Sequence, residues 1–80
     1  MKIGEINLLH EKAKIRKDGV YSFRGNMWVV KDKKFVAFAD YSGNCYQRFG
    51  FFNTWIGKVE RYDRKQKLNE WLRTQQTKGE

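Results

Sequence analysis

Apolar residues at helical spacing mark the beginning of the chain. Ile6, Leu9 and Ala13 fall on one stripe of a helix, and His10 lies on the flank of that stripe. The Asp-Gly pair at residues 18–19 then favours a turn, because glycine takes positive φ values without steric cost. This pattern predicts a short amphipathic helix over residues 4–15.

A second helical stripe lies near the end of the chain, between Arg64 and Gln75. Its apolar members are Leu68, Trp71 and Leu72. Asp63 stands where an N-cap side chain accepts hydrogen bonds from the first turn, and Gln66 three residues later matches a capping box. We therefore expect an amphipathic helix that begins after Asp63 and has a basic outer surface.

The middle of the chain is rich in β-branched and aromatic residues and is divided by short polar turns. The predicted strands are Val20–Arg24, Met27–Lys31, Phe35–Tyr41 and Cys45–Phe52. The turns between them are Gly25-Asn26, Asp32-Lys33 and Ser42-Gly43-Asn44. Connections this short force antiparallel neighbours. Residues 53–62 fit either a last strand or the start of a helix.

These elements predict an α+β fold with a short N-terminal helix, a three- to four-stranded antiparallel sheet and a C-terminal helix. With 80 residues, the chain has room for one domain, residues 1–80. Alternation along the third strand places Val36 and Phe38 on one face of the sheet and Phe35 and Ala37 on the other. Neither face is purely polar. A chain this short can hardly cover both faces with helices, so we expect aromatic side chains to lie exposed beside arginine and lysine.

The charge balance points to a polyanionic partner. Lysine and arginine number 17 against 9 carboxylates, which leaves a formal net charge of +8. Repulsion among these charges weakens the compact state, and a basic surface attracts nucleic acid. The alternative is a surface whose charge serves solubility only.

Several classes of protein fit the sequence poorly. A single cysteine, Cys45, excludes an internal disulfide, and small secreted domains usually have several. The longest apolar stretch, Phe35–Ala39, is far shorter than the roughly 20 residues of a membrane helix. No leader segment is recognisable at the N-terminus. We expect a cytoplasmic protein without membrane contact.

Catalysis and cofactor chemistry find no support in the residue types. The one histidine, His10, and the one cysteine, Cys45, cannot form a zinc site, and each is typical of a packed structural residue. No glycine-rich phosphate loop is present. We expect no enzyme activity, no catalytic residue, no metal and no cofactor. One enzymatic alternative is a small basic ribonuclease toxin that works with arginine, lysine and tyrosine alone.

The candidate binding residues are basic and aromatic, and they occupy the segment before the sheet and the strands themselves. They are Lys14, Arg16, Lys17, Tyr21, Arg24, Trp28, Lys31, Lys33, Lys34, Tyr46 and Arg48. Cations can follow phosphates, arginine can read guanine, and exposed aromatics can stack on bases. A further basic group on the second helix is more typical of a solvated helix face than of a binding surface: Arg61, Arg64, Lys65, Lys67 and Arg73. We expect nucleic acid as the partner, with DNA favoured over RNA.

The segment from Ile15 to Arg24 resembles the start of the N-terminal arm-type, AP2-like DNA-binding domain of phage tyrosine integrases. The shared pattern is an apolar-basic stretch, a turn with glycine, and alternating aromatics that end in arginine. The resemblance implies a three-stranded sheet on one C-terminal helix, with the sheet entering the major groove. The residues that carry over are Arg16, Lys17, Tyr21 and Arg24. This chain differs by its additional N-terminal helix and by residues 51–62, which have no counterpart.

A protein-binding function is the main alternative. The chain could be a small inhibitor or adaptor of the kind that phages encode, with an acidic protein as partner. An exposed apolar patch would mark the contact site. The candidates for this patch are Trp28, Tyr46, Phe51, Phe52 and Trp55. A third alternative is a homodimer that covers these aromatics.

Overall fold

The computed structural model describes residues 2–50 and 52–77 of the chain. Helix α1 spans Ile3–Ala13 and helix α2 spans Arg64–Thr77. The strands between them are β1 (Gly19–Phe23), β2 (Asn26–Lys31), β3 (Lys34–Ala39), β4 (Asn44–Phe49) and β5 (Phe52–Lys58). A short 3-10 turn, Arg61–Asp63, leads into α2. Both helices begin within one residue of their predicted start.

The five strands form one antiparallel sheet in chain order, β1-β2-β3-β4-β5. This confirms the predicted α+β fold, with one strand more than the upper prediction. The ambiguous residues 53–62 supply most of β5, which pairs with β4 from Asn44↔Lys58 to Phe49↔Phe52. Because every connection between strands is a turn, successive turns lie at alternate ends of the sheet.

Each face of the sheet carries one helix. The α1 face is built from Leu9, Ala13, Trp28, Val30, Phe35 and Phe38. The α2 face is built from Val29, Ala37, Ala39, Cys45, Leu68 and Leu72. The expectation that helices could not cover both faces was wrong, because one short helix on each face is enough to bury the central strands. Aromatics nevertheless remain exposed at the periphery, as expected: Tyr41, Phe49, Phe52, Trp55 and Tyr62.

A β-bulge corrects the predicted alternation of β3. Val29 pairs with Ala37 while Val30 pairs with Phe35, so Val36 is an extra residue on β3. The bulge shifts the alternation by one position. Phe35 therefore packs with Phe38 in the α1 cluster, and Val36 packs with the α2 cluster. The prediction that Phe35 lies opposite Phe38 was wrong because strict alternation cannot anticipate an extra residue.

Two turns of the sheet have the same geometry and different sequences. The β1–β2 turn is formed by Arg24 and Gly25, with φ values of 49° and 83°, one residue earlier than predicted. The β2–β3 turn is formed by Asp32 and Lys33, with φ values of 52° and 61°. Positive φ at both central residues is the pattern of type I′ turns, which suit antiparallel hairpins and favour glycine at the second position.

Candidate functional site

The candidate site lies at one end of the sheet, where the loop after α1 meets the β2–β3 turn. The backbone N–H of Asp32 donates to Asp18 Oδ1 over 2.9 Å, which ties the loop to the turn. The β4–β5 turn lies at the same end, because successive turns alternate between the two ends of the sheet and this turn comes two after the β2–β3 turn. We call this region the basic end. Its cationic residues are Lys14, Arg16, Lys17, Lys31, Lys33, Lys34 and Arg48.

The lysines of the basic end differ in availability. Lys14 forms a 3.0 Å ion pair with Glu11, and Lys31 approaches Asp32 at 3.4 Å. Lys17, Lys33 and Lys34 are exposed, and within the described residues no ion pair or hydrogen bond engages their ammonium groups. Three solvated ammonium groups on two joined loops can contact phosphate oxygens without first breaking an internal ion pair.

Arg16 packs against the sheet. Its guanidinium lies 5.1 Å from the centre of the Tyr21 ring and 5.8 Å from that of Trp28. The Tyr21 hydroxyl donates to the carbonyl of Lys17 over 2.7 Å, which fixes the loop that follows α1. The aromatic residues next to the basic segment therefore hold the cations in place.

All three aromatic candidates take part in internal packing, and the Tyr21 ring lies 5.6 Å from that of Trp28. Trp28 is only 1% exposed, so its ring offers no surface to a base. Tyr46 stacks on Phe38 with ring centres 5.0 Å apart and is half-buried. For Trp28, the proposed role in binding gives way to a role in the core.

Arg48 is held over the sheet at the side of α1. Its guanidinium lies 5.1 Å from the centre of the Phe35 ring, and His10 packs on the same ring at 5.4 Å. Arg48 Nη1 donates to Asn53 over 2.8 Å and Nη2 donates to the Gly50 carbonyl over 3.4 Å. Burial lowers the pKa of this guanidinium, which has no carboxylate partner among the described residues.

Three arginines of the opposite end contact neighbouring groups of the fold. Arg24 stacks on Phe23, and Arg61 lies 4.5 Å from the centre of the Tyr41 ring. Arg64 donates to three backbone carbonyls, those of Gly25, Asp40 and Arg61, at 2.7–2.9 Å. The structure thus separates Arg24 from the other candidates, and it gives Arg64 a structural task that its place on a helix surface did not indicate.

The residues considered for catalysis lie apart from one another. Cys45 is buried under α2, donates to the Gly43 carbonyl, and has a raised pKa because burial disfavours the thiolate. His10 lies on the other face of the sheet, beside Phe35. Among the described residues, no three histidine, cysteine or carboxylate side chains come together as a metal site. Neither helix of the described part has the length and apolar character needed to cross a membrane.

Sequence reasoning missed two features of this site. One is the Asp18–Asp32 hydrogen bond, which joins residues 14 positions apart. The other is the position of His10 beside Arg48, which arises only when α1 packs on β3. Neither has a local signal, because both depend on how the elements pack. Comparison of the chain with models of protein families, with curated proteins and with solved structures finds no match.

Proposed function

We propose that this protein binds nucleic acid, with double-stranded DNA as the first candidate, through phosphate contacts at its basic end. The observation that carries the proposal is the Asp18–Asp32 hydrogen bond, which brings the loop of Lys17 to the turn of Lys33 and Lys34. Lysines that neutralise phosphates release counterions from DNA, and this drives binding without regard to base sequence. No enzyme activity, metal or cofactor is part of the proposal.

The backbone of Lys33 supports this proposal. Lys33 has a φ of 61°, in the left-handed region that costs a residue with a side chain about 1 kcal/mol. At the same position of the β1–β2 turn the chain has Gly25, which takes this conformation without that cost. A strained lysine at the tip of a hairpin is readily explained if its charge is needed there.

The placement of the helices favours binding by the end of the sheet over binding by its face. The resemblance to integrase arm-type domains implies that an open sheet face enters the major groove. Here α1 packs on one face and α2 packs on the other, so neither face is open in this way. Binding of DNA through the loops at the basic end does not require an open sheet face. Of the residues that carry over, Arg16 and Lys17 belong to the basic end and Arg24 to the opposite end.

The test compares two double variants with equal loss of charge. Lys17→Gln/Lys33→Gln removes exposed lysines from the basic end, and Lys58→Gln/Lys65→Gln removes exposed lysines elsewhere. Binding to random duplex DNA is followed by tryptophan fluorescence at several salt concentrations. The first variant should bind DNA more weakly. The slope of log affinity against log salt concentration should become shallower by about 1.8, which is about 0.9 for each of two lost phosphate contacts.

The control variant should retain nearly all of its affinity. Equal losses in the two variants would mean that the charge acts diffusely, and they would overturn the assignment to the basic end. No binding by the wild-type protein at low salt would overturn the nucleic-acid proposal altogether. Single-stranded DNA in parallel distinguishes duplex binding from base stacking.

A protein-binding function is the second candidate, favoured by one observation. Phe49 and Phe52 pair across β4 and β5 on the α2 face and are 68% and 75% exposed. Trp55 is 58% exposed but lies beside Tyr46 on the α1 face, so the patch predicted from sequence is split. Phe51, another member of that patch, lies outside the described residues.

Sedimentation equilibrium tests the simplest form of this second candidate, association of two copies. A dimer that resists salt and dissociates in a Phe52→Ser variant would support an apolar interface. A wild-type monomer at high concentration would exclude the homodimer.

A further inference from the structure

A cleft opens beside α1, between the start of β3 and the β4–β5 turn. It has a volume of about 340 Å³, and its lining residues are His10, Lys34, Phe35, Val36, Arg48 and Gly50. Arg48, Lys34 and the only histidine of the chain line it, and none of the carboxylates in the described part of the chain does. We propose that this cleft binds a single phosphate group, with Arg48 and Lys34 as cationic contacts and His10 as a third, titratable contact.

Arg48 is the anchor of this site. Its donors to Asn53 and Gly50 hold the guanidinium plane over the Phe35 ring, where a flexible lysine would not be fixed. Its Nε is buried and finds no acceptor among the described residues. A half-buried guanidinium without a carboxylate partner carries a desolvation cost, and an anion in the cleft would relieve it.

His10 makes the site sensitive to pH. Burial, and then the charge of Arg48, lower the pKa of His10 below its ordinary value of 6.5. The charged groups that act on it from its own helix are Glu11, which raises the pKa, and Lys14, which lowers it. Lys34 shares the cleft from β3. A bound dianion would offset the cationic surroundings, so binding should raise the pKa of His10 and tighten as the pH falls.

The inference rests on the proposed function only for the source of the phosphate group, which would be a nucleic-acid strand. Lys34 belongs both to the cleft and to the basic end, so the two sites are continuous. Lys17 and Lys33 are absent from the lining of the cleft, so they report on the wider surface alone. Variants can therefore separate the failure of one proposal from the failure of the other.

The first experiment uses the single imidazole as a reporter. The Hε1 resonance of His10 is followed by NMR from pH 8 to pH 5 in chloride, in sulfate and in inorganic phosphate at equal ionic strength. We expect both oxyanions to raise the His10 pKa by about one unit relative to chloride, as an opposite charge at contact distance does. Sulfate keeps its charge over this range, so its binding should tighten several-fold towards acid pH because the protein takes up the proton.

The variants then assign the contacts. Lys34→Gln changes an exposed side chain, so the variant should fold normally. Lys34→Gln and Arg48→Gln should each weaken sulfate binding about tenfold. His10→Gln should bind at neutral pH and lose the acid enhancement. Lys65→Gln, far along the chain on α2, is the matched control and should bind as the wild type does. An unmoved His10 resonance, or wild-type binding by Lys34→Gln, would overturn the proposal.

Oligonucleotides identify the source of the phosphate. Tighter binding of a 5′-phosphorylated strand than of its 5′-hydroxyl counterpart, abolished by Arg48→Gln, assigns the cleft to a strand terminus. Equal binding of both strands, weakened to the same extent by Arg48→Gln, assigns it to the backbone. Binding of sulfate without any binding of DNA leaves the cleft intact and refutes the proposed function. DNA binding lost in Lys17→Gln/Lys33→Gln but unaffected by Arg48→Gln refutes a nucleic-acid strand as the source of the phosphate group in the cleft.

Discussion

Arginines at one end of the sheet are engaged by the fold, whereas lysines at the basic end remain solvated. At the opposite end, Arg64 donates to three carbonyls and Arg61 stacks on Tyr41, so these cations hold turns together. At the basic end, the ammonium groups of Lys17 and Lys33 are exposed and have no internal partner among the described residues. The difference teaches that net charge does not locate a binding surface, because a cation already satisfied by the fold has little left to offer a ligand.

The largest expected effect is steric, and it is tested at one glycine from each end of the sheet. A Cβ on Gly43, in the β3–β4 turn, would overlap the carbonyl oxygen of Val59, and Gly43 has a φ of 98°. Gly50, in the β4–β5 turn, has a φ of 58° and open space around it. Gly43→Ala should therefore lower the free energy of unfolding by about 3 kcal/mol or more, and Gly50→Ala by about 1 kcal/mol.

Urea denaturation followed by tryptophan fluorescence measures both variants. Equal costs at the two glycines would contradict the picture of a locked opposite end and an open basic end. The comparison is matched, since each variant adds one methyl group at a glycine with positive φ.

The next largest effect concerns Arg64. Its guanidinium joins the carbonyls of Gly25 and Asp40, in two different turns, at 2.7 and 2.9 Å. Arg64→Gln should destabilise the fold by about 2 kcal/mol, because hydrogen bonds from a charged donor are among the stronger ones. Lys17→Gln, which removes one positive charge at the basic end, should leave stability within about 0.5 kcal/mol. A DNA affinity that falls more in Arg64→Gln than in Lys17→Gln, with both proteins folded, would reverse the roles assigned to the two ends.

The smallest effect tests whether the basic end sacrifices stability for charge. Lys33→Gly gives the β2–β3 turn the residue that the β1–β2 turn has at Gly25. It should raise the free energy of unfolding by about 0.5–1 kcal/mol through relief of backbone strain. It should also weaken DNA binding as Lys33→Gln does. A variant that is both more stable and equally tight in binding would show that Lys33 has no part in the interface.

Much of the fold could be predicted because its signals are local. The stripe of Leu9 and Ala13 and that of Leu68 and Leu72 each place a helix correctly, since apolar residues at helical spacing need a common buried side. The turn at Asp32 and Lys33 was visible as a polar break between apolar runs. The side of the sheet on which Phe35 lies was not visible in the sequence, because the bulge at Val36 depends on how β3 pairs with β2.

The candidate site was predictable in its residue types and less so in its arrangement. The sequence marked Lys17, Lys33 and Arg48 as basic candidates but could not tell them from Arg24, which lies at the other end of the sheet. It also included Trp28, since a tryptophan in a basic strand looks alike whether it is buried or exposed. The side chain of Trp28 became a core residue only when α1 packed across it.

The sequence by itself determined both helices, the first four strands, their antiparallel order and the excess of positive charge, because spacing, turn residues and composition act within a few positions of the chain. Only the tertiary structure decided which cations remain available and which stabilise turns. It joined Lys17 to Lys33 through the Asp18–Asp32 hydrogen bond and set His10 beside Arg48 on the Phe35 ring. The physical reason is that the availability of a charge depends on the groups around it in space, and these come from distant parts of the chain.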